Sequence, residues 1–304
     1  MKFWGVWLVR TSAMLVLIVA LSLSQPVDAN AADARLHVLQ VNACDRSTVS
    51  PSDSPCSVSR AVRADTIVAS VNAFAAQVVT LQEVCEVTYL DIKGQLGSGW
   101  DGDFQAAYYA SDQRCGTATA WGVAFLVKSG VNEFPPVLLG TESSGEKRWL
   151  LCGNTAIGTG FKVCTAHLTN NDSVNGSQVV TVANYLNGYV NDGAAVLLGA
   201  DFNINAGSCL QTPLLRPMYL NQFGRSSDLC DNGNGRFWEA DLYHFMTGDG
   251  QWDEHTYTRS DGAREKIDYI FFNSARFLNN YGGDAITSSV SDHRRLQGAT
   301  TVHD

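Results

Sequence analysis

In Gly199-Ala200-Asp201-Phe202-Asn203 a carboxylate and a carboxamide stand two residues apart, at the end of the short apolar run Ala194 to Leu198. Side chains two apart in an extended chain point to one face, so Asp201 and Asn203 would be delivered together. A carboxylate takes a proton from water or holds a cation. A neutral amide beside it orients a substrate oxygen without adding charge. That pairing suits hydrolysis of a phosphate ester with a metal ion. Read alone, the same residues also make an Asp-Phe-Asn turn bonded to local backbone.

Similar groups end other apolar runs. Glu83 follows Val78 to Leu81, where a carboxylate is either a first-turn helix residue favoured by the dipole or a metal ligand. Asn42 closes Arg35 to Val41, and His167 follows Phe161 to Thr165. Asp268 opens Lys266-Ile267-Asp268-Tyr269-Ile270-Phe271-Phe272 and needs a partner there. Ser291-Asp292-His293 sets a carboxylate beside an imidazole. An Asp268 bonded to one nitrogen of His293 would fix its tautomer, raise its pKa and prime the other nitrogen. His37, His244, His255 and His303 lack such neighbours and are assigned to structure or surface.

The positioning elements follow from periodicity. Ala61, Ala64, Val68, Val71 and Ala75 mark one face of a helix over Ser57 to Gln77, with Ser57 or Ser59 as its cap. Val179, Val182, Leu186 and Val190 mark a second helix just before the Asp201 strand. Trp121 to Lys128 reads as a strand, and Phe134-Pro135-Pro136 as a turn or edge. Arg148 to Leu151 and Phe161 to Thr165 read as a hairpin. Asn205 to Asp253 is rich in Gly, Asn and Asp and reads as a substrate-facing insertion. Within it Asp231 to Gly235 fails the EF-hand pattern, because Gly233 and Gly235 replace oxygen ligands.

The chain opens with Lys2, Arg10, an apolar run from Ala13 to Leu23 and small residues around Ala29 and Ala31. This predicts a signal peptide over 1–31 and a single secreted domain over 32–304. The apolar run is short for a membrane span, which needs roughly 20 residues. Eight cysteines fit export, and sequential pairing is expected: Cys44–Cys56, Cys85–Cys115, Cys152–Cys164 and Cys209–Cys230. Without a CxxC pair, zinc is not expected. The net charge of −9 excludes a generic polyanion binder. Action on nucleic acid would need bridging cations or a local basic rim, for which Arg225, Arg236, Arg259, Arg264, Arg294 and Arg295 are candidates.

Taken in order, Asn42, Gln82-Glu83, Thr165-Ala166-His167-Leu168, Gly199-Ala200-Asp201-Phe202-Asn203, Lys266-Ile267-Asp268-Tyr269 and Ser291-Asp292-His293 resemble the endonuclease/exonuclease/phosphatase superfamily, which includes deoxyribonuclease I. The likeness spans Leu36 to Gly298. It implies an α/β fold, a four-layer sandwich of two packed, mostly antiparallel β-sheets flanked by helices. It also implies Mg²⁺, with Mn²⁺ or Ca²⁺ as alternatives, and in-line attack of water on a phosphate ester. By the same resemblance Glu83 is the main metal ligand, with Asn42 and Asp292 near the metal. Asp201 would orient or deprotonate the water, Asn203 would hold the phosphate, and His167 would bond a phosphate oxygen. His293 would be the second active-site histidine, oriented by Asp268. One departure stands out: deoxyribonuclease I pairs its first histidine with a glutamate near the strand equivalent to Trp121 to Lys128, and no acidic residue is there.

The expected function is a secreted endonuclease acting on DNA. The alternative is a phosphodiesterase or phosphatase for a lipid headgroup or small phosphate ester, sphingomyelinase-like or inositol-phosphatase-like. A lipid enzyme should expose an apolar loop, for which Phe237-Trp238 and Trp252 are candidates. A non-enzymatic binding module is the third reading, disfavoured because the main chemical positions are filled. No obligate protein partner is expected.

Overall fold

The computed structural model describes residues 35–45, 55–108, 115, 120–205, 213–220, 234–241, 254–278 and 282–303. The expected signal peptide, the Cys209–Cys230 pair, Arg225, His244, Trp252 and the Asp231–Gly233 part of the rejected calcium loop lie outside these residues. In chain order the elements are β1 (Arg35–Asn42), α1 (Arg60–Phe74), β2 (Val78–Cys85), α2 (Glu86–Leu96), β3 (Asp101–Tyr108), β4 (Trp121–Val127), β5 (Val131–Glu133), β6 (Val137–Thr141), β7 (Lys147–Thr155), β8 (Phe161–His167), α3 (Asp172–Asn191) and β9 (Ala195–Asp201). They continue with β10 (Phe237–Glu239), β11 (Tyr257–Thr258), β12 (Arg264–Glu265), β13 (Asp268–Asn273), β14 (Gly282–Ile286) and β15 (Arg295–Thr301).

Two large mixed sheets form, in the orders β14-β15-β1-β2-β4-β3 and β10-β13-β9-β8-β7-β5, with β6 on β7. Each contains one parallel pair made through a crossover helix: β1-α1-β2 in the first, β8-α3-β9 in the second. The other neighbours are antiparallel. Apolar alternation explains the stacking. Leu39, Val41, Val79 and Leu81 face Ala64, Ile67 and Val71 of α1. Val196, Leu198 and Ala200 face Val179, Val182 and Leu186 of α3. The opposite faces, with Val38, Val78, Phe125, Val163, Leu197 and Ile270, pack against each other. The result is helix, sheet, sheet, helix.

Helix α1 starts at Ser59, whose Oγ accepts from Val62 N at 3.4 Å. Its buried face is Arg63, Ala64, Ile67, Ser70 and Val71. This corrects the expected stripe, since Ala61 and Ala75 are exposed. An arginine on the buried side displaced the purely apolar reading. The elements α2, β3, β5, β6, β11, β12, β14 and β15 were not read from the sequence. The expected insertion also yields β10, which joins the second sheet through Phe237↔Asn273.

The inward rows share one plan. On β1 it is Val38, Gln40, Asn42; on β2, Val78, Thr80, Gln82; on β8, Val163, Thr165, His167; on β9, Leu197, Gly199, Asp201. Each passes from apolar through small or polar to a hydrogen-bonding or ionisable end. Antiparallel β13 reads the same plan backwards from Asp268 to Ile270 and Phe272. Gly199 is required midway, since a Cβ there would lie 2.0 Å from Thr80 Oγ1. That hydroxyl is on a stiff β-branched residue bonded to Gln40 Oε1 at 2.7 Å. Gly199→Ala is expected to lower stability by about 1–3 kcal/mol, read as a lower urea midpoint at unchanged slope. An unchanged midpoint would refute the tight-contact account.

Candidate functional site

The strand registers bring the ends together. Asn42 lies opposite Gln82, and His167 and Asp268 flank Asp201 on either side. Asp201 is almost fully buried. Its Oδ2 accepts from Asn42 Nδ2 at 2.8 Å, a bond across the two sheets. Its Oδ1 accepts from Asn203 N at 2.9 Å. Burial, then the neighbouring Asp268 charge, push its carboxyl up to about 7, against the bonds from Asn42 and Asn203.

Asn203 adopts φ 52°, and Glu83 φ 50°. Such left-handed conformations cost non-glycine residues about 1–3 kcal/mol and persist where surroundings over-determine them. At Asn203 the twist aims Nδ2 at Leu168 O (3.0 Å) and at His167 Nε2 (3.1 Å). An amide nitrogen only donates, so Nε2 accepts and His167 carries its proton on Nδ1 when neutral. His167 Nε2 also lies 3.6 Å from Asp201 Oδ2 and 3.9 Å from Glu83 Oε1. Glu83 is no first-turn helix residue, because α2 starts only at Glu86. It sits in a register shift between Leu81 and Val84 on β2. Simple alternation would turn Glu83 outward with Leu81, and the bulge re-aims it toward the imidazole.

His293 Nδ1 bonds Asp268 Oδ2 at 2.8 Å, and its Nε2 lies 4.0 Å from Asp201 Oδ2. Burial pushes this imidazole down, but Asp268, Asp201 and Asp292 outweigh burial and raise it to about 10. Tyr257 packs on the ring, with centroids 4.9 Å apart. Asp292 is exposed, and its carboxylate lies within 4.8 Å of the Cys44 and Cys56 sulfurs. Those sulfurs are joined to each other and cannot ligate. On the β4 side of His167, where a glutamate was missing, stands Trp121, edge-on at 6.3 Å.

Several supporting groups escaped the sequence reading. Gln40 Nε2 donates to Asp268 Oδ1 at 3.2 Å. Thr256 Oγ1 accepts from Ile267 N and Asp268 N, both at 3.0 Å. Ser291 Oγ donates to Asn42 O at 2.7 Å. Lys266 Nζ sits between Asp241 (3.0 Å) and Glu239 (3.3 Å). Burial pushes Glu239 up to about 7, and burial plus a bond to Asp241 push Glu254 up to about 9. Ser291 and Lys266 stand inside motifs already read for their neighbours, and Gln40 had a signal, two residues before Asn42 on the same strand face. A cavity of about 310 Å³ lined by Lys162, Tyr189, Asp192 and Arg276 lies at the other ends of β8 and β9, remote from these groups.

The late arginines divide. Arg236 donates to Asn191 Oδ1 at the far end of α3, and Arg295 reaches Ser70 and Thr287 O. Arg259 is exposed beside Asp261 and Glu265. The expected basic rim is therefore not assembled from all of them.

Two sheets delivering carboxylates, amides and imidazoles to one point define a class of hydrolytic site. The chain matches the Endonuclease/Exonuclease/phosphatase family over residues 56–293 and belongs to it. It is a phosphoric ester hydrolase. Divalent-metal dependence is typical of the family. Among solved structures, it is similar to ANGEL2, a 2′,3′-cyclic phosphatase in complex with adenosine-2′,3′-vanadate, at 16% identity, covering 89% of this chain and 96% of that one with TM-score 0.61. It is similar to an endonuclease/exonuclease/phosphatase from Bacteroides vulgatus at 15% identity, covering 89% and 100%, TM-score 0.60. TDP2 from Caenorhabditis elegans is matched at 14% identity, covering 88% and 74%, TM-score 0.59. No curated protein sequence matches the chain.

Proposed function

We propose that this chain is a secreted, metal-dependent endonuclease that hydrolyses phosphodiester bonds of DNA. The observation that carries this is the Asn42–Asp201 bond across the two sheets, with His167, Asn203, Asp268 and His293 around it. Glu83, Asn42 and Asp292 each carry an oxygen donor, and Asn42 bonds the buried Asp201; hard oxygen donors fit Mg²⁺, with Mn²⁺ or Ca²⁺ as alternatives. These three residues would hold the ion, which would supply charge stabilisation to the phosphoryl oxygens.

The protein groups do the rest. Asp201 orients the attacking water and accepts its proton as the new P–O bond forms. When phosphate binds, Asn203 Nδ2 turns one N–H from His167 Nε2 to a non-bridging oxygen where negative charge accumulates, and His167, taking a proton on the freed Nε2, bonds another. His293, kept protonated by Asp268, gives its Nε2 proton to the leaving ester oxygen as the ester P–O bond breaks. Export is supported by the segment over 1–31, proposed as a signal peptide ahead of a domain over 32–304, and by three disulfides.

A lipid or small phosphate ester is the other substrate class. Phe237 and Trp238 are 0% and 5% exposed, so they form no lipid-facing loop. This weighs against a lipid surface at Phe237-Trp238, the candidate loop that lies among the described residues.

Plasmid nicking by the purified protein with Mg²⁺, with Ca²⁺ and with EDTA tests the reading. Nicking with metal and none with EDTA is expected. A folded, metal-binding protein that leaves plasmid intact would overturn the nuclease and direct assays to sphingomyelin and inositol phosphates.

A further inference from the structure

Two of the three disulfides among the described residues begin two positions after a proposed metal ligand. Cys44 follows Asn42, and Cys85 follows Glu83. Cys44 N donates to Asn42 Oδ1 at 3.1 Å, and Cys44 shares with Glu83 a left-handed backbone, φ 44°. The sulfurs of Cys44 and Cys56 adjoin Asp292, the third proposed ligand. The third disulfide, Cys152–Cys164, joins β7 and β8 on the face turned to α3.

One buried carboxylate ties the two segments. Asp45 N donates to Glu83 O at 2.8 Å. Asp45 Oδ2 accepts from Cys85 N at 3.1 Å, and its carbonyl oxygen touches Cys85 Sγ at 3.4 Å. Asp45 Oδ1 pairs with Arg63 Nε at 3.2 Å. Arg63 is fully buried and donates to Ala43 O, Cys56 O and Val290 O. Its guanidinium therefore binds the end of β1, the far half of the first disulfide and the turn that carries Asp292. Every segment bearing a proposed ligand meets this knot.

We propose that Asp45 is a positioning residue that, with Arg63 and the Cys44–Cys56 and Cys85–Cys115 bridges, holds Asn42, Glu83 and Asp292 in metal-binding geometry, so that metal affinity depends on the oxidation state of the chain. The inference rests on the ligand assignment made under the proposed function. Strained ligand positions relax when what over-determines them is removed. Groups behind a ligand set its affinity, and losing one typically weakens binding by about 10–100-fold. A dithiol reductant transfers two electrons and two protons to each bridge. One S–S bond opens to two thiols, while the dithiol closes its own disulfide. The site would then be weak in a reducing compartment and competent after oxidation.

Mn²⁺ binding, read from the electron paramagnetic resonance of the free aquo ion, tests this. The samples are the oxidised wild type, the dithiol-reduced wild type, Asp45→Ala, Asp45→Asn and Cys152→Ala/Cys164→Ala. Reduction and Asp45→Ala are expected to weaken binding by about 10–100-fold. Asp45→Asn keeps one acceptor for Cys85 N and should fall between. The Cys152→Ala/Cys164→Ala variant should bind as the wild type does, and saturating Mn²⁺ should restore nicking by Asp45→Ala. Unchanged affinity in both the reduced protein and Asp45→Ala would overturn the proposal and leave the ligand assignment standing. Absence of Mn²⁺ binding by the oxidised wild type would overturn the ligand assignment, and this inference with it.

Discussion

Asp201→Ala is expected to lower phosphodiester turnover by at least about a hundredfold, the scale of losing one group that acts on the transition state. The reason is geometric. Asp201 contacts groups from both sheets: Asn42 Nδ2 at 2.8 Å, His167 Nε2 at 3.6 Å and His293 Nε2 at 4.0 Å. Its carboxyl, pushed up to about 7 by burial and then by Asp268, is tuned near the pH where a base both accepts and releases a proton. The same shift means that the folded chain holds this proton more tightly than the unfolded one. Its stabilising contribution is full below about 3.8 and is lost as pH rises through about 7. At neutral pH the carboxylate is therefore an electrostatic burden, and alanine removes it. The variant should fold, with circular dichroism like the wild type and a flatter fall of stability between those pH values. Near-wild-type turnover would remove Asp201 from the mechanism. Loss of turnover together with loss of the fold would leave it only a scaffold residue.

The sequence carried the sheets and the ends of their strands, because apolar alternation and helical spacing are local. β1, β4, β8, β9, β13 and the buried face of α3 emerged near their observed bounds. The Cys152↔Cys164 pairing followed from two strands each carrying a cysteine. What escaped was non-local or strained. The orientation of Glu83 depends on a bulge and a left-handed φ that no alternation rule predicts. Arg63 reads as a solvated helix residue, yet it is buried because the acceptors it satisfies come from three distant segments. Gln40 looks like a polar interruption of a strand. It is one member of a bridge in which Gln82 Nε2 also reaches Thr165 Oγ1 at 2.9 Å in the opposite sheet. Such partners exist only after the sheets have packed, so only the resemblance of the whole ordered set pointed to the site before the fold was known.

Asp268→Asn should produce the second large effect, a marked fall of the His293 pKa from about 10. Burial alone pushes this imidazole down. The Asp268 charge and hydrogen bond are the largest forces raising it, ahead of Asp201 and Asp292. Asparagine keeps the shape and the possible contact to Nδ1 but removes the charge, so burial is then opposed only by Asp201 and Asp292. Titration of the His293 Cε1 proton by NMR in the metal-free protein reads this directly. The sign of the stability change follows. A histidine raised in the folded state stabilises fully below about 6.5, and that contribution is lost as pH rises through about 10. The wild type should lose stability across that window, while Asp268→Asn should show a smaller loss over a narrower one. Turnover at neutral pH should fall by at least about a hundredfold in Asp268→Asn and in His293→Ala alike, because one weakens and the other removes the proton donor to the leaving ester oxygen. A His293 pKa unchanged in Asp268→Asn would show that the other carboxylates suffice. Unchanged turnover beside a lowered pKa would mean that the protonated imidazole is not used in the reaction.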